Sequence, residues 1–337
     1  MPELLADYTT LRLGGPARRV VTAASTADLV ALVRDCDDRG EPVLVLGGGS
    51  NLVVADAGWP GVVALVRSSG VDVQESGGTV LVTADAGVRW DDLVAESVQR
   101  GWSGLAAMSG IPGLVGATPV QNVGAYGSEV AELITGLTVY DRQTGAVERW
   151  EAGRCGFGFR TSAFKHTDRY VILDVTFALR PGTEAPPVRY LELARRLGVE
   201  PGGVAASKDV RRVVLELRRS KGMVLDEADH DTWSVGSFFV NPFVPADAVP
   251  DGCPHWEVDG QVKLSAAWLI EQAGFGKGFT AGDPRVSVST KHTLALTNRG
   301  GATTEALLDL ARVIRDGVQR RFGVRLRPEA HLVGVEL

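Results

Sequence analysis

The stretch "PVLVLGGGSNLVVAD", residues 42–56, decides the fold. Four apolar residues, Val43 to Leu46, lead into Gly47, Gly48, Gly49, Ser50 and Asn51, and a second apolar run begins at once with Leu52. A dinucleotide loop of the Rossmann kind must open a helix whose N-terminus faces the pyrophosphate. This loop opens a strand, which excludes that arrangement. A loop between two strands can still hold phosphate oxygens through successive backbone N–H groups. Taken alone, a plain tight turn explains the three glycines equally well.

Outward from this loop, helices alternate with short β-branched strands. Residues 25–40, "STADLVALVRDCDDRG", form a helix that Ser25 or Thr26 can cap, with Leu29, Leu32, Val33 and Cys36 on one face and Gly40 at its end. "DDLVAESVQRG" (91–101) is a second short helix, with aspartates in its first turn. "LTVYDRQTGAVERW" (137–150) reads as a hairpin turning at Gln143, Thr144 and Gly145. Near the end, Leu307, Ala311, Ile314 and Val318 recur at helical spacing and Gly323 closes the run. The pattern predicts an α+β or α/β chain. Composition shifts towards Pro and Gly in "LRPGTEAPPVRYLELARRLG" (179–198), so a boundary is expected near residue 182, dividing the chain into 1–182 and 183–337.

Bulk properties narrow the function classes. A chain of 337 residues has room for two domains. Its 45% hydrophobic and 23% charged residues are those of a folded globular protein. With a net charge of −6 and dispersed cations, it lacks the basic stripe a nucleic-acid partner needs. A few convergent cations could still hold an anionic small molecule. The opening "MPELLADYTTLRLGG" has no basic region followed by an apolar one, and no apolar run approaches membrane-spanning length, so a cytoplasmic protein is expected. Cys36, Cys155 and Cys253 are few, odd in number and far apart, as reduced thiols would be. The five histidines form no close pair with metal-ligand spacing, and no metal is expected.

Two further stretches carry the chemistry. "MSGIPGLVGATPVQNVGAYGSEV" (108–130) sets Gly110, Gly113, Gly116, Gly124 and Gly127 among small and amide residues. Glycine removes the side chain wherever a ligand must touch backbone. Two such stretches in one domain suggest a long anionic cofactor lying across both; a pair of irregular barrel corners is the alternative that composition leaves open. "WSVGSFFVNP" (233–242) poses a similar question about Ser237. It is either a small residue at a tight backbone approach, the commoner case, or a hydroxyl kept in a dry pocket for chemistry.

Six blocks settle which alternative to follow. "LGGGSNLVVAD", "GIPGLVGATPVQNVGAYG", "FRTSAFK", "GSFFVNP", "KLSAAWLIEQAG" and "RPEAHLVG" occur in this order and at these spacings. The chain thereby resembles the UDP-N-acetylenolpyruvoylglucosamine reductase family, flavoenzymes of bacterial peptidoglycan precursor synthesis, from "TTLRLGG" almost to the last residue. The resemblance implies an α+β protein. An FAD-binding domain of the vanillyl-alcohol-oxidase and para-cresol-methylhydroxylase (PCMH) type is followed by a smaller α+β substrate-binding domain whose last strand returns to the flavin site. It implies FAD held by Gly47, Gly48, Gly49, Ser50 and Asn51 and by Gly110, Ile111, Pro112, Gly113, Gly116, Ala117, Asn122, Gly124, Ala125, Tyr126 and Gly127. Neither loop contains a His or Cys, so the FAD is expected to be non-covalent. NADPH is the implied hydride-donating co-substrate, UDP-N-acetylglucosamine enolpyruvate the acceptor, and a monomer the expected state.

The same resemblance implies roles for single residues. Arg160, in "FRTSAFK", would grip the substrate carboxylate through a planar guanidinium that stays charged as electrons arrive. The family usually has tyrosine just before it, where this chain has Phe159. Ser237 would protonate C2 of the enolate, with Phe238 and Phe239 keeping water away. A weakly acidic alcohol is sure to be protonated at working pH, whereas an unperturbed carboxylic acid is ionised. Glu329, in "RPEAHLVG", would stabilise the enolate, which requires that it be protonated or share a proton, so a pKa raised by burial is expected. Lys221 in "RRSKGMVLD" and Asn241 in "FFVNP" fall at substrate diphosphate positions, Tyr190 on a loop closing over the nucleotide, and His292 at a supporting position. Two rival readings share the fold: an oxygen-using alcohol oxidase, and a binding module without turnover.

Overall fold

The twelve-residue strand Tyr170–Pro181 is the spine of the larger of two compact units. In the computed structural model, which describes residues 3–258 and 260–337, it pairs antiparallel with Ile134–Asp141 on one side and Thr79–Asp85 on the other. Ala146–Glu151 and Val71–Ser76 form the outer strands, and Trp102–Ser103 joins at Arg180 and Pro181. The hairpin turn falls where expected, between the partners Asp141 and Ala146. The spine feeds two cores. Val175, Phe177 and Leu179 are fully buried with Trp90, Leu93 and Val94 of the helix Trp90–Gln99. Val171 and Leu173 join Leu29, Val33 and Cys36 of the helix Thr26–Asp38, which Ser25 caps by accepting the Asp28 N–H. A second sheet of three strands, ordered Ala17–Ala23, Trp59–Val66, Val43–Leu46, supplies the rest of that core, with Val43 beside Val62 in parallel register.

The expected cut at residue 182 falls inside this unit. The larger unit comprises Arg18–Gly48 and Pro60–Arg219. Past the Pro/Gly-rich loop, the helices Leu191–Leu197 and Ser207–Ser220 bury Leu193, Val210, Val213, Val214 and Leu217 together with Ala106 and Val188. Arg211 also grips Asp91 with two hydrogen bonds of 2.6 and 2.9 Å. The composition shift therefore marks a surface connection, and apolar burial continues to the end of the second helix.

The smaller unit takes the N-terminal segment ending at Ala17, then Gly49–Trp59 and Ser220–Leu337. Leu11, Leu13 and Val53 are core residues here, beside Phe238, Phe239, Leu264, Leu269 and Val288. The strand Leu52–Val54 lies parallel to the last strand, His331–Val333, with Leu52 opposite His331. Asp56 takes the N–H groups of Thr304 and Glu305 at 2.8 and 3.1 Å, completing the start of the helix Thr304–Phe322. Leu307, Ala311, Ile314 and Val318 on that helix are all fully buried, and Gly323 ends it in the left-handed region. No helix among the described residues is long and apolar enough to cross a membrane. Cys36, Cys155 and Cys253 are free and buried, and burial pushes the Cys155 thiol up to about 11.

Candidate active site

The two glycine stretches meet backbone to backbone. A Cβ placed on Gly48 would stand 2.8 Å from the Gly113 Cα, closer than real Cβ contacts come. Only residues without side chains allow that approach. It brings the backbones of the two stretches into direct contact, so a ligand touching one of them there would lie beside the other. Other glycines in the same stretches serve the protein itself. A Cβ on Gly49 would lie 2.0 Å from the Tyr8 carbonyl oxygen, and one on Gly116 2.5 Å from the Ala86 Cβ.

The second stretch is anchored at both ends. The Gly110 N–H donates to Asp91 Oδ1 at 2.6 Å, so one carboxylate ties the loop to Arg211. Burial pushes the Asp91 carboxyl up, but Arg211 and the Gly110 N–H outweigh it and bring it below the ordinary value. Ile111 then leans on the main core, Pro112 and Gly113 lead on, and Ala117 closes a short turn with Val115 and Gly116. At the far end Gly124 pairs with Glu129 and Ala125 with Ser128. Tyr126 and Gly127, at φ 53° and 85°, form the two-residue turn between them. Two successive positive φ values are what a tight hairpin of the right twist needs.

Arg160 sits against this hairpin. Its guanidinium donates to the Asn122 carbonyl at 3.3 Å and to the Gly124 carbonyl at 2.8 Å, and lies 3.8 Å from Glu129 Oε1. Its own backbone is left-handed, at φ 51°, and Lys165 Nζ donates to its carbonyl at 2.7 Å. A strained residue held by surrounding contacts is a mark of a functional site. Tyr190 meets the same hairpin from outside. Its ring stands edge-on to Tyr126 at 5.3 Å between centroids. Tyr190 precedes the helix Leu191–Leu197 as its cap residue and stays 42% exposed, while Leu193 takes the core position. Burial pushes the Tyr126 hydroxyl up to about 12, with Tyr190 and Glu192 adding to the effect and Arg218 opposing it.

Within the smaller unit, Ser237 and Glu329 stand on adjoining extended segments. The Glu329 N–H donates to the Phe238 carbonyl at 2.8 Å, and Phe239 bridges to Pro328. Asn51 joins them: its amide donates to the Glu329 carbonyl at 3.4 Å and its carbonyl accepts the His331 N–H at 2.9 Å. The Ser237 side chain is half-buried and makes no hydrogen bond among the described residues. Phe238 and Phe239 are core residues, 0 and 1% exposed, with rings 5.0 Å apart. His292 lies in the turn between the strands Val286–Val288 and Leu296–Asn298. Its N–H bonds Ser289 Oγ, which in turn donates to the buried Asp231. Asn241 uses its side-chain oxygen at home, accepting the Ala266 N–H at 3.0 Å beside the Ser265 cap of the helix Ala266–Gln272. Lys221 directly follows the helix Ser207–Ser220.

Sequence reading passed over Asp91, Arg211 and Glu129. Asp91 looks like an ordinary first-turn acid complementing a helix dipole, and its partner is 120 residues away. Glu129 had a usable signal, because Tyr-Gly at a two-residue turn fixes which residues face each other across it.

A flavin-binding α+β protein is the class that follows. A family model described as FAD binding domain matches residues 17–151. A second, described as UDP-N-acetylenolpyruvoylglucosamine reductase, C-terminal domain, matches residues 227–333. The UDP-N-acetylenolpyruvoylglucosamine reductase of Cutibacterium acnes is 54% identical over 98% of this chain and 89% of its own length. That of Salinispora arenicola is 56% identical over 99% and 95%. The solved structure of the Thermus caldophilus reductase, 24% identical, covers 99% of this chain and 98% of its own with a TM-score of 0.69, which shows the same fold. The chain belongs to the UDP-N-acetylenolpyruvoylglucosamine reductase family.

Proposed function

We propose that this chain catalyses the NADPH-dependent reduction of UDP-N-acetylglucosamine enolpyruvate to UDP-N-acetylmuramate, in bacterial peptidoglycan precursor synthesis, as a cytoplasmic monomer. The bare backbone at Gly48 and Gly113 fits a non-covalent FAD, and the loops offer no histidine or cysteine to tether it. Bound FAD supplies the hydride chemistry, from NADPH to the terminal vinyl carbon of the enolpyruvyl group.

The chain's own residues do the rest. Arg160, held by two carbonyls, pairs with the substrate carboxylate and stabilises the negative charge that builds across C2 and that carboxylate. Glu329 acts beside the same charge, which it can do only when its carboxyl carries or shares a proton. Ser237 delivers a proton from its Oγ to C2. An alcohol is a weak acid, but an enolate carbon is a strong enough base to take its proton. Lys221 as a point charge and the Asn241 amide bind the diphosphate, Tyr190 covers the nucleotide, and His292 supports the loop it lies in.

The observation that carries this reading is the Ser237 hydroxyl, which makes no hydrogen bond among the described residues and sits in a segment whose next residue bonds Glu329. Ser237→Ala should leave flavin reduction by NADPH nearly intact and slow reoxidation by the enolpyruvyl substrate by about a hundredfold or more. Stopped-flow absorbance separates the two half-reactions, and equal loss in both would remove Ser237 from the donor role. Rapid peroxide formation with a simple alcohol, with indifference to the UDP-sugar, would favour the oxidase instead.

A further inference from the structure

Asn122 ties the hairpin that receives Arg160 to the turn that carries it. It is 2% exposed, with its backbone at φ 45°. Its carbonyl accepts from Arg160, and its side chain reaches the other way, donating to the Gly158 carbonyl at 3.1 Å. Gly158 and Thr161 close the turn around Arg160 with reciprocal backbone bonds of 3.1 and 3.2 Å. One buried amide thus fixes both the donor turn and the acceptor loop.

What fixes the amide is Glu129. The Asn122 Nδ2 donates to Glu129 Oε2 at 2.7 Å, while its Oδ1 accepts the Ala131 N–H at 3.1 Å. A carboxylate only accepts and a backbone N–H only donates, so these two partners allow the amide one orientation. Glu129 also pairs through its backbone with Gly124, the other residue whose carbonyl holds the guanidinium. We propose that Glu129 is a positioning residue for Arg160, acting through Asn122; this rests on Arg160 being the carboxylate-binding group.

An opposite role is available to a carboxylate 3.8 Å from a guanidinium, namely competition with the substrate's carboxylate. The side chains are 22 and 36% exposed, so water screens that attraction. The 2.7 Å bond to a buried amide is charge-assisted and shielded, and it is the stronger of the two effects.

The two roles predict opposite changes in binding. Calorimetric titration with UDP-N-acetylmuramate, which has a carboxylate, and UDP-N-acetylglucosamine, which lacks one, tests them on the FAD-loaded protein. Glu129→Ala should weaken the first about tenfold and leave the second unchanged, since a misaligned guanidinium affects only the carboxylate. Glu129→Gln keeps an accepting oxygen for Asn122 and should restore most of the affinity. Glu129→Asp keeps the charge but shortens the reach, and should show the selective loss even if the alanine variant folds poorly. In an Arg160→Ala background, Glu129→Ala should add no further selective loss. Tighter binding in Glu129→Ala, or equal weakening for both ligands, would overturn the proposal. A selective loss in Arg160→Ala without one in Glu129→Ala would overturn it alone; no selective loss in Arg160→Ala would bring down the Arg160 assignment with it.

Discussion

At the scale of single residues, Tyr126 joins site geometry to proton chemistry. Its phenol, at the hairpin turn and packed against the core around Val188 and Leu193, is desolvated, has Tyr190 edge-on at 5.3 Å, and is pushed up to about 12. An ordinary tyrosine ionises near 10. Between these values the folded protein keeps a proton that the unfolded chain releases. The stabilisation this reflects is therefore complete below about pH 10 and is lost as pH rises through about 12. At pH 11, folded wild type and Tyr126→Phe should show the same phenolate absorbance, and unfolding both at that pH should reveal about one extra phenolate in wild type. A phenolate missing from the folded variant would mean that Tyr126 titrates normally. Ser237 teaches a different lesson at this scale. The two phenylalanines after it are core, and the serine itself is half-exposed, its hydroxyl making no hydrogen bond among the described residues. Nothing in its own identity points to a role; only the six-block resemblance implies one.

At the scale of elements, periodicity served well and glycine only in part. The faces of the helices Thr26–Asp38 and Thr304–Phe322 and the hairpin around Gln143–Gly145 came directly from spacing, because burial on one side imposes the spacing. Glycine announces a close approach but not what approaches. Gly49 and Gly116 are crowded by Tyr8 and Ala86, outside the glycine-rich stretches, whereas Gly48 meets Gly113 of the other stretch. The strand after the first glycine loop was also read correctly, yet its partner, the last strand of the chain, is some 280 residues away and no local pattern shows it. The contact at Gly48 gives a direct test. Gly48→Ala puts a methyl group 2.8 Å from backbone that has no flexible end to yield. Such overpacking costs about 2 kcal/mol. With Gly48 and Gly113 as the proposed FAD contact, FAD should bind about thirtyfold more weakly. The flavin-to-protein absorbance ratio after gel filtration would fall while far-ultraviolet circular dichroism stays unchanged. Full flavin retention would mean that this approach is unrelated to the cofactor.

At the scale of the whole chain, the compact units are interleaved, and that arrangement is what the sequence concealed. The polypeptide changes unit after Ala17, Gly48, Trp59 and Arg219. A composition scan looks for one linker and finds the Pro/Gly-rich stretch near 182, because surface loops share a linker's residues. Burial identifies the difference. The helices beyond that stretch close the core around Ala106 and Val188, and Arg211 supplies the charged partner that, with the Gly110 N–H, offsets the desolvation of the Asp91 carboxylate. Two fragments separate the alternatives. A fragment of residues 18–219 keeps the larger unit entire; one of residues 1–182 loses both helices and Arg211. Each carries residues 49–59 without their strand partner. Removing one member of an ion pair this exposed costs about 1 kcal/mol. For a chain of this size that lowers the melting temperature by about 3 °C, before any loss of apolar packing is added. The shorter-ended fragment should therefore melt at least that much lower by circular dichroism and bind a hydrophobic dye in its folded state. Equal melting temperatures would mean that the two helices are an attachment to this unit and not part of its core.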